Sequence, residues 1–374
     1  MMGGSIKVQQ AGSARELEEF IRLPWSIYRN DPNWVPPLVA EQRKMLDPAG
    51  NPFFQHARAA YFLARRDGRC VGRISAHIDD NSNRFHNEKC GFFGFFECLD
   101  DAGTAQALMD SAGGWLRDRG MEKIRGPFNF TTNDTAGLLL DSFDRPPVIE
   151  MTYNPPYYPK LVEGCGLAKA MDLYAYFFDV EKMDRKRIKM LGDRVERHGI
   201  AFRSIDKKRF AQEVKIFKEV YNQAWSHNWG FVPLTESEID HYADNFKDIV
   251  DPDFVIFAFD REKPVGSLWA LPDYNYVIKK LNGKMGPLEM AKFLWYRGRI
   301  NHARVMTAGV IDGYQHRGIE AGLIGRVFEN GVRKGYRTGE LSWVLENNVM
   351  MNRLAGAVGA KVYKTYRVYE KGLS

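Results

Sequence analysis

The chain has 374 residues, 44% of them hydrophobic and 27% charged, with a formal net charge of +6. These proportions are ordinary for a globular protein, and the length exceeds the size at which one core keeps growing, so two domains are expected. The mild positive charge comes with no recognition helix and no zinc spacing, which argues against a nucleic-acid partner.

Apolar stretches such as 254–259 are strand-sized, so no membrane span is expected. Residues 1–10 lack an apolar run behind a basic start, which argues against a secretory signal. Cys70, Cys90, Cys98 and Cys165 show no close paired spacing and read as free thiols of a cytoplasmic protein. No metal-ligand spacing is evident. Basic residues are densest at Lys279, Lys280, Lys284, Lys292, Arg297, Arg299 and Arg304. That run reads either as a solvated face or as a field that draws in a phosphorylated cofactor.

In chain order, 61–65 and 70–78 flank an Asp67-Gly68 turn and predict a hairpin. A strand follows over 91–97. Helical spacing runs over 102–119, closed by Gly120. Residues 124–130 read as a strand, the Pro- and Asn-rich stretch 127–159 as a long ordered loop, and 169–180 as a closing strand. The second half repeats that order: a hairpin over 254–259 and 265–271, a strand over 304–311, a helix over 318–334 and a strand over 339–345. A helix over 349–357 and a closing strand over 361–370 complete it. Leu161 precedes Gly166 by the same five positions that separate Leu354 from Gly359, and each glycine leads through a lysine into an aromatic-rich strand. An internal duplication accounts for the match, with the boundary near residue 180.

The most informative segment is RVMTAGVIDGYQHRGIEAGL, residues 304–323. Its strand-turn-Gly-helix order puts free amides and the positive end of a helix dipole at the turn, which favours an anion. Gln315-His316-Arg317-Gly318 resembles the start of the Gln/Arg-x-x-Gly-x-Gly/Ala pyrophosphate loop of the GNAT N-acyltransferase superfamily. Asn348, Met351, Leu354, Gly359 and Ala360 are similar to that superfamily's last motif. The whole chain, from WVPPL (34–38) and NPFF (51–54) to ELSW and KTYRVYEK, looks like a bacterial group of tandem GNAT-like proteins of unassigned substrate.

The resemblance implies an α+β fold of two tandem GNAT-like domains, 1–180 and 181–374, each a mixed, mostly antiparallel sheet flanked by helices. It also implies that CoA or acyl-CoA is the co-substrate, with pantetheine held between strands parted near Val310 and Leu341. The amides of Val310 and Ile311 would meet the thioester carbonyl, those of His316, Arg317, Gly318 and Ile319 the pyrophosphate, and Asn348 the pantetheine. Gln315 opens that loop. Two positions depart from the pattern. Glu320 stands where a small residue is usual, and Ala355 stands where many relatives carry a proton-donating tyrosine.

A base is also needed to take a proton from the attacking amine. Glu340, Glu346 and Asp312 are the nearest carboxylates in sequence, and strand alternation would put Glu340, Ser342 and Val344 on one face. Trp225, Asn228, Trp229 and Phe231 read either as an acceptor pocket or as a packed corner, and His227 as structural or exposed. Residues 126–140 of the first half offer no phosphate-loop pattern, so that domain is expected to have lost thioester binding. The function expected is transfer of an acyl group from CoA or an acyl-carrier protein to a small-molecule amine. The alternative is a non-catalytic thioester-binding or scaffolding module.

Overall fold

A computed structural model describes residues 4–373. The Asp67-Gly68 turn forms as its composition requires, because both residues take left-handed φ values (50° and 77°), the geometry of a tight hairpin. It joins strands Ala57–Arg66 and Arg69–Asp79, and strand Cys90–Cys98 lies beside them. Helix Ala102–Arg117 starts at an Asp101 cap, whose carboxylate accepts from the Thr104 amide at 2.8 Å. It buries Ala105, Leu108, Met109, Ala112 and Leu116, the helical-period face, against the sheet.

The chain divides into two compact units, and neither is continuous in sequence. The first holds residues up to Leu173, Val277–Trp295 and the residues from Lys364 onward; the second holds Tyr174–Tyr276 and Tyr296–Tyr363. The repeat in the sequence predicts a division at 180, whereas the strand Ala168–Asp179 itself changes unit at 173/174, as the strand Lys361–Gly372 does at 363/364. Each unit thus completes its sheet with the closing strand of the other half. In the first, Tyr369–Gly372 runs antiparallel to Lys123–Gly126. In the second, Val180 donates to the Arg337 carbonyl at 2.9 Å, and Gly339 has no side chain because the Phe178 ring lies where one would stand.

The sheet of the second unit runs Ile200–Ser204, Val255–Asp260, Lys263–Pro272, His302–Val310, Thr338–Leu345. All its registered neighbours are antiparallel except His302–Val310 with Thr338–Leu345. Helix Ile319–Arg333 packs its apolar stripe, including Leu323 and Val327, into the core, and Phe210–Ala224 packs on the sheet through Trp269. Of the basic run, Arg304 is buried on its strand. Lys279, Lys280 and Lys284 are exposed around two helices, Asn275–Leu281 and Pro287–Arg297, that no periodicity in the sequence announces. Among the described residues no helix is long and apolar enough to cross a membrane.

Candidate active site

The site is built on a fork. His302, Ala303, Arg304 and Val305 pair in parallel with Thr338, Gly339, Glu340 and Leu341, and the register ends there. His302–Val310 stays paired on its other edge as far as Val310 opposite Gly266. Met306 is the extra residue of a bulge, since Thr307 faces Trp269 while Val305 faces Ala270.

The direction of the amides past the fork is set by one hydrogen bond. Ile311 donates its N–H to the Val265 carbonyl at 3.0 Å. Bonding direction alternates along an antiparallel ladder, so Gly309 and Thr307 bond toward the same side. The N–H groups of Ala308 and Val310 therefore point the other way, into the gap. No side chain among the described residues accepts from either. Val310 stands at the gap, and Ala308 joins it. Ile311 does not, because its amide belongs to the ladder. Counting two residues back from Val310 along a strand could have found Ala308 in the sequence.

The turn after this strand is held by its own side chains. Tyr314 donates to Asp260 at 2.8 Å, Gln315 to Asp312 at 3.1 Å, and Arg317 to the Gly313 carbonyl at 2.8 Å. His316 and Gly318 adopt left-handed φ of 62° and 82°, which turns the backbone sharply into the helix that begins at Ile319. Gly318 supplies no side-chain cap. Glu320 follows in the first turn with its carboxylate buried. Burial pushes that carboxyl above the usual carboxylate range, against the pull of the amide and of His316.

Glu340, paired with Arg304 one step before the fork, has a fully buried side chain that accepts from the Ser342 hydroxyl and the Tyr363 phenol. Arg304 donates through Nε to Ser342 Oγ at 3.0 Å and through Nη2 to the Ser342 carbonyl at 3.1 Å. Because Ser342 Oγ accepts from Arg304, its own proton is directed at Glu340. Glu346 is half-buried past the strand, where its carbonyl accepts from Asn352. Asp312 lies 3.4 Å from His227 on the exposed turn. Asn348 caps helix Val349–Ala357, with Oδ1 accepting from the Met351 amide at 3.1 Å, so only its Nδ2 is left to meet a ligand.

The face of the sheet under helix Phe210–Ala224 carries polar atoms that have nothing to bond. Ser267 Oγ, Trp269 Nε1, Thr307 Oγ1 and Trp343 Nε1 are all buried without a partner. Trp269 and Thr307 are register partners, the Phe217 ring lies 4.6 Å from that of Trp269, and Arg304 stands 5.5 Å over the Trp343 ring. Trp225 closes this side by packing on Gly309, where an added Cβ would come within 2.3 Å of its ring. Phe231 is buried against Tyr221, Asn228 bonds back to the Trp225 carbonyl at 2.8 Å, and Trp229 is half-buried. The corner 225–231 therefore presents Trp225 to Gly309, while Phe231 packs on Tyr221, which stacks on Trp225. On the opposite face an apolar cavity of about 50 Å³ is lined by residues including Val305, Leu341, Ile324, Phe328, Ala355 and Val358. Ala355 gives that wall a small apolar surface and no proton donor.

No family model matches the sequence. The bacterial ceramide synthase of Caulobacter vibrioides is 39% identical over 370 residues, covering 96% of this chain and 95% of the relative. Protein YghO of Escherichia coli is 37% identical over 363 residues, covering 95% and 93%. Among solved structures, a tandem GNAT protein from the clavulanic acid pathway aligns over 99% of both chains with a TM-score of 0.59 at 13% identity. A GNAT from Sphaerobacter thermophilus aligns over 98% and 96% with a TM-score of 0.52 at 15% identity. The chain is a tandem GNAT protein of the bacterial ceramide synthase family. Amides directed into a gap suit a carbonyl oxygen that becomes negative, and a buried carboxylate chain beside it suits proton removal.

Proposed function

We propose that this protein joins a fatty acyl group, carried on CoA, to the amine of a long-chain amino alcohol, the sphingoid type of base that a ceramide contains. The thioester carbonyl lies in the fork with its oxygen toward the amides of Ala308 and Val310. The neutral amine attacks the carbonyl carbon, a C–N bond forms, and the oxyanion is held by those two N–H groups. The C–S bond then breaks. The proton lost by nitrogen passes by way of Ser342 to Glu340, the departing thiolate takes a proton from solvent to leave as CoA thiol, and Glu340 returns its own proton to solvent. Arg304 and Tyr363 hold Glu340 and Ser342 in position rather than touching substrate. The free state of all four cysteines supports a reducing, cytoplasmic setting.

One observation carries the acceptor class. Four buried polar atoms without partners sit on the face beside the fork, and two of them are indole N–H groups that can only donate. Buried polar groups are normally satisfied, so these are suited to oxygen functions on the incoming amine. The test is thiol release and product mass from the purified chain with palmitoyl-CoA and sphinganine, beside an unoxygenated alkylamine of equal length. Amide formation should favour the amino alcohol by at least tenfold, since each unpaired buried donor costs roughly 1–3 kcal/mol. Equal rates would remove the assigned acceptor class. Glu320, an acidic residue buried in the first turn, favours a second reading, in which the turn binds thioesters without turnover. Thermal stabilisation by acyl-CoA with no thiol release from any amine, and none from acyl-carrier protein as donor, would establish that reading instead.

A further inference from the structure

Residues 277–295 of the first unit form an arm that is anchored at one end and exposed at the other. The anchor is secure: Val277 and Leu281 are buried, Asn282 accepts from the Trp25 indole at 3.1 Å, and the Gly283 carbonyl accepts from the Val39 amide at 3.0 Å. Gly283 must be glycine, with φ of +80° and the Trp25 ring 2.5 Å from where a Cβ would be. Beyond it, helix Pro287–Arg297 buries none of its residues. At 100° per residue, positions 288, 290, 291, 294 and 295 share one side, and this is the side turned to solvent. Leu288 is 65% exposed, Met290 45%, Leu294 52% and Trp295 67%. A helix on a globular surface normally shows its polar side outward. This one shows leucine, methionine and tryptophan.

The exposed charges of the arm are of one sign. Lys279, Lys280 and Lys284 are exposed before the helix and Lys292 flanks its apolar side. The only carboxylate of the arm, Glu289, is folded back to accept from the Gly286 amide at 3.2 Å. An apolar helix face with a tryptophan, in an arm whose exposed charges are lysines, is the pattern of a helix lying in the plane of a membrane interface.

We infer that the arm 277–295 docks this protein onto an anionic lipid surface, with Leu288, Met290, Leu294 and Trp295 entering the headgroup layer and Lys280, Lys284 and Lys292 meeting lipid phosphates, while Lys279 donates to the Pro32 carbonyl. This docking does not depend on the acceptor assigned above, although it would bring the chain to a bilayer that holds lipid-like substrates. The lysines thereby acquire a role other than drawing a nucleotide to the glycine turn, whose loop lies elsewhere in the sequence.

Flotation of the full chain with vesicles tests it. The protein should float with phosphatidylglycerol-containing vesicles, less with pure phosphatidylcholine, and less again as salt rises. A Leu294→Glu/Trp295→Glu variant should lose binding by at least tenfold. Each of Lys280→Gln and Lys284→Gln should weaken it by roughly fivefold, the effect of one cation near such a surface. Because the changed residues are exposed, the melting curve and turnover of detergent-dispersed substrate should match the unaltered chain, which separates this inference from the proposed function. It is overturned if the chain stays with the pellet in the presence of anionic vesicles, or if the double variant floats as well as the parent. It is overturned equally if light scattering shows a dimer that the variant breaks while no vesicle binding occurs, because the face then belongs to a second copy.

Discussion

Both units contain a parallel strand pair that parts after a few residues, and the groups that fill the opening differ. In the second unit the pair runs from His302/Thr338 to Val305/Leu341, and beyond it the Ala308 and Val310 amides face the gap without a side-chain acceptor among the described residues. In the first unit, Cys90, Gly91 and Phe92 pair with Lys123, Ile124 and Arg125, and the chain then folds back into its own fork. Asn129 Oδ1 accepts from the Phe95 amide at 2.7 Å, and its Nδ2 is held by Thr135 at 2.9 Å. The Phe128 carbonyl lies 1.8 Å from where a Gly94 Cβ would stand, and the Phe92 and Phe128 rings meet at 5.7 Å. A backbone amide that can hold a developing oxyanion in one unit is thus satisfied by an asparagine carbonyl in the other. The same fold yields a slot or a sealed wall according to the residues that leave its parallel pair, and we propose that the first unit no longer takes a thioester.

The carboxylates make the same contrast. Each unit sets a glutamate opposite an arginine in register, Glu97 with Arg73 and Glu340 with Arg304. Tyr28 and Tyr158 both donate to Glu97, at 3.0 and 2.7 Å, and burial raises its carboxyl despite Arg73, which lies 3.7 Å away. Glu340 has a serine at the fork instead. Glu340→Gln should therefore lower kcat by roughly 10²–10⁴-fold, the usual worth of a positioned base, with KM for acyl-CoA little changed. Glu97→Gln should leave kcat alone and lose about 3 kcal/mol of stability, because it strands the buried Arg73. Steady-state kinetics and denaturant titration on the two variants measure both. A rate loss in Glu97→Gln alone would reverse the roles given to the two units.

Asn129 sharpens the comparison at a smaller scale. Asn129→Ala leaves the Phe95 amide buried without an acceptor, which costs about 1–3 kcal/mol. The unfolding midpoint should fall while turnover stays unchanged. If turnover falls in proportion to a site's loss, the first fork takes part in the reaction after all.

Much of this is readable in the sequence because repeated patterns carry it. The hairpins, the helix end at Gly120, and the order of elements in both halves come from periodicity and turn residues. The glycine turn is legible because Gln315 to Gly318 lie between a strand and a helix. The exchange of closing strands is not, since 168–179 and 361–372 share an aromatic-rich pattern and either satisfies either sheet edge. Glu340 is visible only as one carboxylate among three, and its partners Arg304 and Tyr363 are 36 and 23 positions away in sequence. Trp269, Thr307 and Trp343 escape sequence reasoning altogether. An indole or hydroxyl without a partner is a property of packing, and no spacing signals it.

Glu320 sets the limit on how open the second fork is. Its carboxylate is buried in the first turn of the helix whose start would meet a pyrophosphate, and burial has raised its pKa. A raised folded value means that the folded chain holds a proton the unfolded chain has lost. This contribution to stability is therefore greatest at low pH and declines as pH rises from the ordinary carboxylate value through the raised one. A bound pyrophosphate favours the protonated form further, so CoA binding should take up a proton and weaken across the same window. Glu320→Gln removes both slopes. It should also lower KM for acyl-CoA by up to roughly tenfold, the equivalent of one unit of pKa coupling. Isothermal titration with CoA in buffers of different ionisation enthalpy counts the proton directly. If the parent takes up none and its affinity tracks the same pH curve as the variant, the carboxylate lies clear of the phosphates, and the second fork is as open to its ligand as a turn with a small residue at 320.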